Sequence, residues 1–143
     1  MDPNALHSLL IELFAAIQLV SAYPMPDRLP AVHADPGPVM QQAICGRPCP
    51  VKAFYHAESG VHFDEKMDVY GNVFDRSILL HELVHYLQQT TGKYEVISGY
   101  CRRKNAEELE AYMIQNRYLA QQGVSRRASA VRRAQMCHDE DES

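Results

Sequence analysis

Two histidines four residues apart, with a glutamate directly after the first, form the reactive motif of this sequence: His81-Glu82-Leu83-Val84-His85. Residues four apart on an α-helix lie about 40° apart around its axis, so both imidazoles leave one face, one turn from each other. That arrangement suits two nitrogen ligands on a single zinc ion at about 2.0–2.1 Å. Glu82 sits one position beyond the first histidine, too far round to join both rings on the metal. It can reach a water bound there from the side and act as general base.

The surrounding residues predict the helix that such a motif requires. Asp75 reads as an N-cap, residues 76–91 as the helix and Gly92 as its stop. Ile78, Leu79, Leu80, Leu83, Val84 and Leu87 make that helix apolar enough to be buried. Buried imidazoles and a buried carboxylate need partners, and a metal supplies them. A catalytic zinc takes three protein ligands and keeps a fourth position for water. The third ligand is expected from a following helix over 105–122, where Glu107, Glu108 and Glu110 stand within Ala106–Tyr112. Acids also favour a helix start for its dipole, so a solvated role is expected for two of the three.

This combination resembles the gluzincins, HExxH peptidases whose third ligand is a glutamate on a downstream helix. It is most similar to the groups that read Glu-x-x-Ala-Asp there, such as CAAX-prenyl-protease-like and membrane heat-shock peptidases. Glu108-Leu109-Glu110-Ala111 matches Glu-x-x-Ala, so the resemblance implies Glu108 as the third ligand beside His81 and His85. Tyr112 departs from the pattern, standing where those families place an aspartate that braces a ligand histidine. The bracing role is thereby left open, to Glu107, Glu110 or a backbone carbonyl. The likeness covers residues 75–120, about a third of the chain.

What the resemblance implies is a zinc metallopeptidase in which a metal-activated water attacks a peptide bond and Glu82 takes its proton. Tyr86, Tyr94, Tyr100, Tyr112 and His138 are candidates for stabilising the oxyanion. Zincins hold peptide as an extra strand on a sheet edge, and Val61–Glu65 is the expected edge, with His56 and His62 left out of the site. The alternative is a zincin-fold metal-binding module that works through protein–protein contact without proteolysis.

The rest of the chain must position these groups, and its 143 residues suit a single domain over 1–143. Leu6, Leu9, Leu10, Leu13, Phe14 and Ile17 recur at helical spacing, and His7 and Glu12 interrupt the run. Residues 1–22 therefore read as a core helix rather than a membrane span or signal peptide. Residues 23–50 hold seven of the eight prolines and read as a wrapping segment, with a short helix possible near 38–44. Residues 51–65 read as a β-hairpin turning at Ser59-Gly60, and 75–123 as the metal-site helices. Residues 124–143 read as a last helix from Ser125 to Cys137 with an acidic tail. The order predicts a small α+β domain of zincin-like layout, its hairpin or antiparallel sheet packed on the HExxH helix.

A net charge of −4 disfavours nucleic acid as partner, the arginines at 126–127 and 132–133 reading as one basic helix face. A peptide or protein substrate is the expected partner. Cys45, Cys49, Cys101 and Cys137 permit two disulfides, free buried thiols, or a weak second metal site. If they pair, a periplasmic or secreted protein is expected; otherwise a cytoplasmic one.

Overall fold

The computed structural model describes residues 2–128 and residue 137. Four helices and a three-stranded sheet make up an α+β domain: α1 (Pro3–Val20), β1 (Val32–Asp35), α2 (Gly37–Cys45), β2 (Ala53–His56), β3 (Gly60–Asp64), α3 (Val73–Thr91) and α4 (Tyr100–Gln121).

In α1, Leu9, Leu10, Leu13, Phe14 and Ile17 are buried, as their three- and four-residue spacing predicts. Burying these five side chains contributes on the order of 10 kcal/mol before chain entropy is set against it. Among the described residues α1 alone is long and apolar enough to match a membrane span, with mean hydropathy 1.3. Its buried stripe packs in one core with Leu79, Leu80, Leu83 and Val84 of α3 and with Ala111 and Ile114 of α4.

The sheet order is β1-β3-β2, with β2 and β3 antiparallel and β1 parallel to β3. The expected hairpin is present, but β1 makes the sheet mixed rather than antiparallel. This strand lies inside the proline-rich segment, where Val32 and Ala34 face the core and His33 and Asp35 do not. Four residues between prolines carry too little alternation to stand out. Gly60 turns the chain at φ 98° while a Cβ there would sit 2.2 Å from the Ala31 carbonyl oxygen, so the β1–β3 contact requires glycine. Val61 and Phe63 turn inward onto α3, whereas His62 stacks between His33 and Phe54 on the opposite face.

Several boundaries differ from the expectations. Asn72, not Asp75, caps α3: its side chain accepts from the Asp75 amide at 2.9 Å, and Asp75 sits in the first turn. Both residue types can cap, and three-residue spacing lets the earlier one win. Helix α4 starts five residues before the expected 105, directly after Gly99 at φ 92°. Its lead-in is held by the Arg103 guanidinium donating to the Ile97 carbonyl and by the Cys101–Cys137 disulfide. Residues 124–128 are not helical, and the rest of the expected C-terminal helix, with His138 and the acidic tail, lies outside the described residues.

Candidate metal centre

Helices α3 and α4 pack side by side and supply every member of the cluster. Ala111, fully buried in that interface, has the small side chain that close approach of the two helices requires. His81, His85 and Glu108 form the one group of potential metal ligands among the described residues, with ligand atoms all within 4.8 Å of one another. The two Nε2 atoms are 3.2 Å apart, and His81 Nε2 lies 3.6 Å from Glu108 Oε2. His85 Nε2 contacts the other carboxylate oxygen, Oε1. Tetrahedral zinc with ligands at about 2.05 Å separates neighbouring donors by about 3.3 Å, so the donor set and its spacing fit that ion. Glu107 turns its backbone carbonyl to Gln88, and the Glu110 carboxylate accepts from Gln88 rather than joining the cluster.

The bracing of the histidines falls to residues the sequence reading missed. His81 Nδ1 donates to Gln115 Oε1 at 3.0 Å, and Gln115 Nε2 donates to Ser77 Oγ at 3.1 Å. His85 Nδ1 donates to Gln88 Oε1 at 2.7 Å. Gln88 Nε2 in turn donates to the Glu107 carbonyl at 2.8 Å and to Glu110 Oε1 at 3.1 Å. Each glutamine holds Nδ1, so each imidazole presents Nε2 to the cluster. The expectation that Glu107, Glu110 or a backbone carbonyl braces a ligand directly is therefore corrected. Glu110 and the Glu107 carbonyl act one step behind, through Gln88. The signal was legible in principle, since Gln115 lies seven residues, two turns, beyond Glu108 and shares its face. Tyr112 sets its ring edge-on to His81 at 4.4 Å between centroids.

Glu110 also departs from the solvated role expected for two of the three acids. It is 8% exposed and binds the Tyr23 hydroxyl and the Lys93 ammonium as well as Gln88. Burial opposes its ionisation, but Lys93, Tyr23 and Gln88 hold its pKa below the ordinary value. Burial, and then the same contact, push the Tyr23 phenol well up.

Electrostatics within the cluster follow the carboxylate. Burial lowers the His85 pKa, yet its hydrogen bond to Glu108 and the charge of Glu82 outweigh this and push it up to about 9. Burial raises that of Glu108, but hydrogen bonds from His81 and His85 hold it far below the carboxylate range. In the metal-free protein His85 and Glu108 are therefore an ion pair at neutral pH.

Glu82 is 8% exposed and, among the described residues, has no hydrogen-bond or ion-pair partner. It lines a cleft of about 970 Å³ together with His81, His85, Glu108 and Tyr112. The opposite wall is β2, residues 53–56, whose outer edge is unpaired among the described residues. Val61–Glu65 cannot be the edge expected to receive a peptide, because β3 is the central strand and is paired on both sides. His56 borders the cleft, while His62 is bound to Asp35 at 2.6 Å and stays outside the cluster. Of the tyrosines considered for an oxyanion, Tyr100 and Tyr112 line the cleft. Tyr86 donates to the Arg28 carbonyl, and Tyr94 lies beside Glu110.

All four cysteines are paired, as Cys45–Cys49 and Cys101–Cys137. No curated protein and no solved structure matches the chain. A family model described as a domain of unknown function, DUF6647, matches residues 50–141 and spans β2, β3, α3 and α4 with the whole cluster. Because that match covers more than half of the chain, the protein belongs to the DUF6647 family.

Proposed function

We propose that this protein is a zinc metallopeptidase of zincin type. The observation that carries the reading is Glu82, a buried carboxylate that makes no hydrogen bond or ion pair among the described residues, in a cleft beside three convergent ligand atoms. Burying a carboxylate without a hydrogen bond is costly, so its retention supports a chemical role. His81, His85 and Glu108 would hold the ion. Zinc supplies a Lewis acid for the scissile carbonyl and lowers the pKa of a water towards about 7.

Glu82 takes the proton from the attacking water and delivers it to the leaving amine. Gln115 and Gln88 keep the two imidazoles in the tautomer and orientation that ligation requires. Tyr112, edge-on to His81 in the cleft, is the candidate donor to the developing oxyanion. Strand β2 offers its outer edge, unpaired among the described residues, to an extended peptide, in place of the β3 edge first expected. Two disulfides support work in an oxidising compartment, periplasmic or extracellular.

The test is hydrolysis of a quenched peptide library by zinc-reconstituted protein and by Glu82→Gln. The parent is expected to cleave and lose activity to a chelator. The variant is expected to bind zinc stoichiometrically without cleaving. Equal cleavage by the variant, or no bound metal in the parent, refutes the reading.

A further inference from the structure

We infer that the cleft selects acidic polypeptide, with Asp or Glu side chains on both sides of the bond held over the cluster. The inference rests on the peptidase reading for its bond-breaking step, but the binding preference stands on the cleft alone.

Five cationic side chains line the cleft: Lys52, Arg103, Lys104, Arg126 and Arg127. All but the half-buried Arg103 are exposed. Its lining carboxylates are Glu82, Glu107 and Glu108, of which Glu108 joins the histidines and Glu82 is the base. With Glu108 joined to the histidines, Glu82 and Glu107 offset two of the five cations, so the cleft keeps a positive excess in a chain whose net charge is −4. None of the five forms an ion pair among the described residues. Arg103 and Arg127 donate to backbone carbonyls, Arg126 lies over the Phe74 ring, and Lys104 over that of Tyr100.

Their placement gives the preference a direction. Gln115 bonds back to Ser77 and His81, while Gln88 bonds to the Glu107 carbonyl, so α4 runs antiparallel to α3. Arg103 and Lys104 therefore stand at the Gln89 end of the cleft. Arg126 stands at the Phe74 end and shares a side pocket of about 250 Å³ there with Lys52. Between Phe74 and Gln89 the helix rises about 22 Å, the reach of roughly seven residues of extended chain. A segment laid along β2 with its central bond at the cluster places its terminal side chains, two or three residues away on each side, against cations. A polyanion such as single-stranded nucleic acid shares the charge, but the backbone edge of β2, unpaired among the described residues, favours a polypeptide.

The experiment uses zinc-loaded Glu82→Gln and fluorescent seven-residue peptides with one apolar centre and Glu, Gln or Lys at both ends. Binding is read by anisotropy. Glu-ended peptide is expected to bind roughly tenfold more tightly than Gln-ended peptide at low salt, with the gap narrowing as salt rises. Lys-ended peptide should bind weakest, and Lys52→Glu with Lys104→Glu should erase or reverse the order. Equal binding of Glu- and Gln-ended peptides, no peptide binding, a preference that survives the double reversal, or tighter binding of an oligonucleotide overturns the inference. Should the parent bind Glu-ended peptide without cleaving it, the peptidase reading fails and the acidic preference stands.

Discussion

Gln115 offers the sharpest check on how the proposed ligands are held. Its amide joins His81 Nδ1 to Ser77 Oγ, and Ser77 donates onward to the Phe74 carbonyl at 2.6 Å. Gln115→Leu keeps the volume and removes both bonds from a buried site. Two net hydrogen bonds at about 1 kcal/mol each give a loss of about 2 kcal/mol. With an unfolding entropy of about 2.1 cal/mol/K per residue, a chain of this length should lose roughly 7 °C in Tm. Zinc affinity should fall by about 10- to 100-fold, because the His81 ring loses its orienting acceptor. The lower end is expected, since Gln88 still holds His85. Gln115→Glu should act oppositely on the metal: a carboxylate accepts more strongly from Nδ1–H and makes the imidazole a better donor. Chelator competition reads the affinity and calorimetry the Tm. Zinc binding by Gln115→Leu equal to the parent, or the same loss in Gln115→Glu, would show that this contact does not position the ligand.

Under the proposed ligation zinc would displace the proton that His85 holds up to about pH 9, so affinity should rise about tenfold per pH unit towards that value. Titrations at three pH values check the slope, and a flat profile counts against His85 as ligand. For the metal-free fold the sign reverses. A raised histidine pKa stabilises fully below its ordinary 6.5 and is lost as pH rises through about 9. The depressed Glu108 stabilises above its ordinary 4.5 and is lost on acidification, so apo Tm should peak between those ordinary values. Glu108→Ala should abolish stoichiometric zinc. Glu110→Ala should keep it while costing about 1–3 kcal/mol, because Tyr23, Lys93 and Gln88 lose a buried acceptor; zinc content and Tm distinguish the two. Reduction of Cys101–Cys137, 36 residues apart, should cost about 4 kcal/mol, against about 2 for Cys45–Cys49, four apart. Denaturation of single-pair cysteine-to-serine variants tests that order.

The local part of the site was written in the chain. Helical periodicity alone sets His81 and His85 on one face and makes the helix around them apolar, and neither depends on the rest of the fold. The α+β class, the hairpin and the buried stripe of α1 follow from the same short-range patterns. Other features depended on contacts between distant segments. Seven residues carry Glu108 to Gln115, but that Gln115 meets His81 follows only from the antiparallel packing of α3 on α4. The character of Glu110 was misread because its partners Tyr23 and Lys93 come from separate loops that helix propensity does not register. The sheet edge beside the cleft was misassigned because β1, too short to announce itself, pairs with β3 and makes it the central strand, so that β2 is the edge strand lining the cleft among the described residues. Spacing along one element is a local property of the sequence, whereas partners across elements exist only once the tertiary fold has brought them together.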